Sequence, residues 1–443
     1  MIHEQVKGKP VTPATAALIL LVAAGAIAVA YRYAMGLGAV TNLSDQYPWG
    51  LWVAVDVFSG VALAAGSFTV AGLVYVFGGE RYHVFVRPAV LTGLLGYLFV
   101  AVGLAVDLGQ PLHIWHPIIM WPEHSAMFEV AWCVMLYLSV LALEFVPAVL
   151  ERLGWSGLQE LWKKLTPLVS AALLALFVGV MSLSWTWAIG TLVFFTVLAG
   201  MLSRFVPARP GVPALLIIAG VIFSTMHQSS LGSVFLLMPD KLDPLWWTPS
   251  LPINFFLSAV AVGFAIVIFE ATLSAKAFKR PLEKEALAGM GRFLAYALWI
   301  YLAFRLGDMA VRGHLAGLFG GGKAPLFLLE IILGVLVPAA MLTSARVLGS
   351  TAGLFLAATL VVLGVVFNRI NAVWLAMTMP GEGAYVPSAL EVLVTASLIA
   401  AMVYLFALAV KLLPVFPRSE GEGPQPSPAA ATASSRTHTI ASR

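Results

Sequence analysis

Hydrophobic residues run through this chain in long blocks, and polar residues are confined to the gaps between them. A bilayer-crossing helix needs roughly 20 apolar residues. On that measure the blocks predict twelve spans, near residues 14–36, 50–77, 85–107, 125–149, 167–185, 188–205, 212–236, 251–275, 292–312, 325–346, 351–368 and 388–413. The fifth and sixth form one apolar stretch from Thr166 to Phe205, interrupted only by Ser182-Leu183-Ser184-Trp185-Thr186-Trp187. A single helix of that length overshoots a bilayer, and tryptophan favours the headgroup level, so the cluster is predicted to be a tight interfacial turn. The expected fold class is all-α, a polytopic transmembrane helical bundle of about twelve spans, with ten as the alternative.

The polar gaps alternate in charge. One set carries Arg81 and Arg87; Arg152, Lys163 and Lys164; Arg204 and Arg209; Lys276, Lys279, Arg280, Lys284 and Arg292; and Arg346. The other set is nearly free of basic residues, with Arg312, Lys323 and Arg369 as exceptions. The positive-inside rule then places both termini in the cytoplasm and favours an even number of spans. Three regions are expected: a cytoplasmic N-terminus (1–13), the membrane domain (14–413), and a cytoplasmic tail (414–443) whose Ser, Ala, Pro and Gly content predicts disorder. A cleaved signal peptide is the alternative for the first run, which follows Lys7 and Lys9, but its length is that of a full span.

Composition sharpens this picture. Of 443 residues, 60% are hydrophobic and 10% charged, and the mean hydropathy is +0.94. No soluble domain of this size has such a balance. Nucleic-acid binding would need a basic patch on a soluble module, and none is present. The single cysteine, Cys133, excludes an internal disulfide and an iron–sulfur cluster held by this chain alone.

Against that background the carboxylates stand out. Asp56, Asp107, Glu129, Glu144, Glu270 and Glu330 lie within or at the ends of apolar runs. An ionisable group at membrane depth is costly and marks a functional candidate by default. The predicted topology brings Asp56, Asp107 and Glu129 to the outer level of neighbouring helices, where burial would poise them to exchange protons. Helix capping or satisfied polar packing is the plainer reading, and it suits Asp107 better than Glu129, which sits between Phe128 and Val130. The 108–124 loop adds His113, Trp115, His116, Trp121 and His124, either an ordinary interfacial loop or a cradle for a headgroup or ring. Thr225-Met226-His227-Gln228-Ser229-Ser230-Leu231-Gly232-Ser233 is polar inside an apolar run, so it is either packing glue or a proton-exchanging cluster around His227. Glu144 and Glu270, nearer the inner ends, either extend a proton path or pair with Arg152 and the Lys276–Arg280 cluster. Arg305, Asp308 and Arg312 share one helix face and are expected to form an intrahelical charge pair.

Haem bound between two histidines needs two of them at matched depth in separate spans. His227 alone lies inside a predicted span; His83, His113, His116, His124 and His314 fall in loops or at ends. Intrinsic haem is therefore not expected, and the scarcity of ligands argues equally against a metal site.

Several motifs carry a resemblance. Asp45-Gln46-Tyr47-Pro48-Trp49-Gly50-Leu51-Trp52 followed by Asp56, Tyr82-His83 with Arg87-Pro88-Ala89, Phe128-Glu129, Ala142-Leu143-Glu144-Phe145 with Glu151-Arg152-Leu153-Gly154-Trp155, the Thr225–Ser233 motif, and Gly263 to Glu270 occur in order over residues 45 to 275. Together they resemble the NrfD/polysulfide-reductase membrane-subunit family, and within it the HybB-type branch found in nickel–iron hydrogenases. The final third matches in hydropathy only. HybB-type subunits usually have ten spans, which makes 167–206 a possible inserted helix pair.

The resemblance implies an integral subunit of the bacterial or archaeal inner (cytoplasmic) membrane that binds quinone and carries no redox cofactor. A ferredoxin-like iron–sulfur subunit would dock on the outer face and pass electrons to menaquinone or ubiquinone. In the hydrogenase branch those electrons come from dihydrogen at the nickel–iron large and small subunits; the same branch also serves sulfur-metabolism and multihaem complexes. Glu129, then Asp56 and His227, become the candidate proton-transfer residues. Tyr47, Trp49, Asp107, His113, His116, Gln228 and Ser229 become candidates for the quinone pocket, with Glu144 and Glu270 continuing the proton path. A proton-coupled secondary transporter using the same carboxylates, and a passive anchor for soluble redox subunits, are the competing readings.

Overall fold

The computed structural model describes residues 3–6, 12–122, 125–205, 214–378 and 385–417. Twelve helices of membrane-crossing character are present among them. Eleven are long and apolar enough by themselves, and a shorter apolar one completes the set. They are α1 (Pro13–Met35), α2 (Trp52–Val76), α3 (Val86–Asp107), α4 (Ala126–Leu153), α5 (Ser156–Ser182), α6 (Trp185–Phe205), α7 (Ala214–Ser233), α8 (Leu251–Phe278), α9 (Lys284–Val311), α10 (Ala324–Leu342), α11 (Thr351–Leu375) and α12 (Ala389–Leu412). Without water in the hydrocarbon, each backbone amide must be satisfied within its own segment, and helices do this.

Two helix starts differ most from the sequence reading. The fifth helix starts at Ser156 rather than 167, and the ninth at Lys284 rather than 292. Both extensions carry charged residues (Glu160, Lys163 and Lys164; Lys284 and Glu285), which a hydropathy boundary discards although helix formation does not. The Ser182–Trp187 cluster is a turn, with Leu183 in the left-handed region at φ 49° and the Ser184 hydroxyl accepting from the Trp187 amide.

α2, α3, α4 and α7 pack together as one bundle and α8, α9, α10 and α11 as a second, with α8 lying against α2 and α7, so that one continuous apolar core runs through both. The α5–α6 hairpin leans on α4 and α7 from outside, and α1 pairs with α12, which packs on α3. Close approach at both α1–α12 and α10–α11 requires glycine. A Cβ on Gly25 would overlap Ser397 Oγ, and one on Gly364 would overlap Gly334 Cα.

The two ends of the described chain meet. His3–Glu4 (β1) and Phe416–Pro417 (β2) form a short antiparallel pair. The termini thus share one face, as an even number of spans demands. Residues 414–417, expected as the start of a disordered tail, are instead ordered by this pairing; 418–443 lie outside the described residues. Arginines secure the end of α12: Arg152 Nε donates to the Leu412 carbonyl at 3.0 Å and Arg87 Nη1 to that of Pro414 at 2.8 Å. Cations at a helix C-terminus complement its dipole and its unpaired carbonyls.

Candidate functional site

α4 begins at Ser125, whose hydroxyl accepts from the Phe128 amide. That cap sets Glu129 in the first turn, near the face opposite the termini. Counting on by helical steps, Cys133, Tyr137 and Glu144 follow Glu129 along one side of the helix. α7, which packs against α4, presents Ser224, His227 and Ser230 at matching intervals. Ser230 Oγ lies 2.6 Å from Glu129 Oε1 and 2.9 Å from the Met226 carbonyl. Glu129 is only partly buried, whereas Ser230 is buried.

Below this pair the core of the first bundle stays polar. His227 is fully buried, and neither ring nitrogen has a hydrogen-bond partner among the described residues. Its ring faces Tyr97 at 5.6 Å, and Tyr97 meets Tyr137 edge-on at 4.7 Å. Tyr137 Oη and Ser67 Oγ are hydrogen-bonded at 2.8 Å, and Ser224 stands beside both tyrosines. Glu144 closes the series towards the termini; a Cβ on Gly220 would lie 3.3 Å from its Oε1. The basic residues nearest Glu144 in sequence are engaged elsewhere: Arg152 serves α12, and Arg87 pairs with Glu151 at 2.7 Å. Tyr97, Tyr137, Ser67 and Ser224 escaped the sequence reading. The available signal was the i, i+4 step from Cys133 to Tyr137 on the Glu129 face.

The carboxylates expected at one outer level face different neighbours. Asp56 lies in a π-helical stretch of α2 (Trp52–Ser59) and accepts from Thr395 Oγ1 of α12 at 2.8 Å. Asp107 lies within electrostatic reach of Asp56, Arg32 and Glu391. These two therefore address α1 and α12, while Glu129 addresses α7. Gln228 donates to the Val61 carbonyl at 2.8 Å, tying α7 to α2. Trp49 joins Phe58 and Phe235 at ring separations of 6.4 and 6.0 Å, and Tyr47 lies in the loop before it. His113 and His116 stack on each other at 4.3 Å in a loop bearing the exposed side chains Leu112, Trp115 and Ile119. Ser229 is half-buried.

A cavity of about 400 Å³ opens at the termini face, lined among others by Phe85, Pro88, Glu270, Ser274, Arg280 and Phe416. None of the candidate quinone-pocket residues borders it. Glu270 accepts from Thr92 Oγ1 at 2.5 Å, while Arg280 donates to the Pro417 carbonyl at 2.5 Å and stands 4.0 Å from Glu4. Burial pushes the Arg280 guanidinium below its ordinary range, against the opposing pull of Glu4. The Arg305–Asp308–Arg312 expectation is half right. Arg312 pairs with Asp308 at 3.0 Å, but Arg305 turns to the Leu245 carbonyl at 2.9 Å.

Comparison with known proteins decides the family. The model of the polysulphide reductase family NrfD matches residues 39–238, the segment that builds α2 to α7 and hence the Glu129 site. The chain is 32% identical to a protein of Nitratidesulfovibrio vulgaris over 94% of its own length and 97% of that protein's. It is 31% identical, over 87% of its length and 88% of the relative's, to the probable Ni/Fe-hydrogenase 2 b-type cytochrome subunit of Escherichia coli. The chain belongs to the NrfD family. A third NrfD-related protein, the integral membrane subunit of menaquinone reductase from N. vulgaris, is 27% identical over 88% of both chains. Membership makes the chain a multi-pass membrane subunit of the kind found in redox complexes. One relative's name includes a b-type cytochrome, whose haem takes two axial ligands at matched depth. His227 has the Tyr97 ring beside it, and among the described residues no group of three or more His, Cys, Asp or Glu gathers in a metal-holding arrangement.

Proposed function

We propose that this chain is the quinone-reactive subunit of a respiratory oxidoreductase complex, taking electrons from an iron–sulfur partner on the face opposite the termini and moving the accompanying protons. The observation that carries the reading is the Glu129–Ser230 pair, a half-buried carboxylate bonded to a serine one helical turn from the buried His227. Two-electron reduction of a quinone consumes two protons, so an acid must stand at the ring. Glu129 is that acid, and the Ser230 hydroxyl orients it. His227, Tyr97 and Tyr137, whose rings follow one another at 5.6 and 4.7 Å, and Ser67 carry the series on towards Glu144. Trp49 and Phe235 offer aromatic walls on the same side of the bundle, and Asp56 is a second proton carrier beside α12. Identity with the hydrogenase relative favours dihydrogen as the source of electrons, passed through nickel–iron large and small subunits. Nickel in the purified complex tests that finer assignment, and a nickel-free catalytic partner would redirect it.

The central test is Glu129→Gln, which keeps shape and removes the transferable proton. Quinone-linked turnover should fall about 100-fold, while assembly and reduction of the iron–sulfur partner stay intact. Unchanged turnover would reject Glu129 as the coupling acid.

A further inference from the structure

The second bundle holds a polar cluster that this reaction does not use. At its centre is Glu330 of α10, 2% exposed. Asn368 Nδ2 donates to its Oε1 at 2.7 Å, and Asn371 Nδ2 and Trp246 Nε1 donate to Oε2 at 2.7 and 2.8 Å. Three N–H donors on two oxygens form the surroundings of an ionised, acceptor-only carboxylate. Two arginines flank it, each 1% exposed. Arg369 donates to Ser258 Oγ at 2.9 Å and Asn368 Oδ1 at 2.5 Å, with its guanidinium 3.8 Å from the centre of the Phe255 ring. Arg305 is held by the Leu245 carbonyl and lies 5.3 Å from the centre of the Phe327 ring. Guanidinium groups keep their charge in proteins. Of the other carboxylates on these helices, Asp308 is taken by Arg312 and by the Thr248 hydroxyl at 2.8 Å, and Glu270 of α8 faces the termini-side cavity and accepts from Thr92 of the first bundle.

The cluster therefore holds two fixed cations against one fixed anion. The first bundle is the reverse. Asp56, Glu129 and Glu144 lie in its helices, and no arginine or lysine occurs between Arg87 and Arg152, nor anywhere in α2 or α7. Beside Glu330 is a cavity of about 10 Å³, one water in size, bordered by Ser258, Tyr301 and Asn368 and by Gly334 and Gly364. Such an interior invites proton leakage, yet an approaching hydronium meets excess positive charge in a low-dielectric core. Towards the termini the backbones of Gly334 and Gly364 are in contact, so that a Cβ on Gly334 would lie 2.7 Å from Gly364 Cα. That contact narrows the space between α10 and α11 on the termini side of the cavity.

We propose that the second bundle is an electrostatic barrier to protons, in which Arg305 and Arg369, fixed around Glu330, confine proton movement to the first bundle. Fixed arginines exclude cations from narrow membrane passages by the same repulsion. The proposal rests on the second bundle's own charges and does not depend on quinone as the substrate.

The test uses the complete complex in sealed liposomes, with no electron donor. A potassium diffusion potential drives passive proton entry, and an internal pH dye reads it. Arg369→Gln should raise passive flux about tenfold, and Arg305→Gln should do the same, whereas Arg369→Lys, which keeps the charge, should stay near the wild-type level. Ser258→Asp leaves every arginine in place, cancels the excess charge beside Arg369, and should also leak; it serves where the glutamine variants do not assemble. Charge-cancelling variants as tight as wild type, or equal leakage from Arg369→Lys and Arg369→Gln, would overturn the proposal.

Discussion

The 2.6 Å contact between Ser230 Oγ and Glu129 Oε1 makes a graded prediction. A hydrogen bond to a charged or transferring group contributes roughly 1.5–3 kcal/mol. Ser230→Ala removes it but leaves the carboxyl, so quinone-linked turnover should drop by about tenfold, less than in Glu129→Gln. Steady-state turnover with a fixed electron donor reads this directly, and a Ser230→Ala loss as large as that of Glu129→Gln would mean the serine does more than orient. Legibility at this scale followed chemistry. A glutamate between Phe128 and Val130, and a run of hydroxyls around His227, announce themselves because such groups are costly in hydrocarbon. Tyr97 and Tyr137 do not, since a tyrosine in an apolar run reads as packing until its neighbours are known. Glu330 was visible as a buried carboxylate, but its three N–H donors come from residues 38 and 41 positions later and 84 positions earlier, and no local pattern predicts that.

Among the elements, hydropathy located every span, because the bilayer imposes a length that the sequence must honour. It failed at helix ends that stand beyond the apolar slab, where α5 and α9 continue through charged residues. It was also silent on which helices touch, since one apolar helix face resembles another and small residues rather than hydrophobicity set close approach. Gly334 and Gly364 are such a pair, meeting backbone to backbone where α10 and α11 cross. No flexible side chain is available to yield there. Gly334→Val should force the helices apart at a cost of about 1–3 kcal/mol, seen as a lower melting temperature of the purified complex. Gly307 is the matched control. Nothing lies within 4 Å of the place a methyl group would take there, and Gly307→Ala should leave the melting temperature unchanged.

On the scale of the whole molecule, eight of the twelve helices form two bundles with opposite electrical character, α2, α3, α4 and α7 carrying Asp56, Glu129 and Glu144, and α8 to α11 the Arg305–Glu330–Arg369 cluster. Among the described residues His227 is the one fully buried histidine, and its ring neighbour is Tyr97 of the proposed proton series. On the proposed reading, electrons reach the quinone from outside this chain, while protons reach it from inside. The division has a direct consequence. The chain purified without its partners should show no haem absorption in a reduced-minus-oxidised spectrum and should not pass electrons to quinone from a soluble reductant, and adding the iron–sulfur partner should restore quinone reduction. A haem band that disappears in His227→Leu would show that this histidine ligates iron rather than handling protons, because only an axial ligand links that side chain to the spectrum. That outcome would take His227 out of the proton series and leave Glu129 and Ser230 separated from Tyr97 by a redox centre.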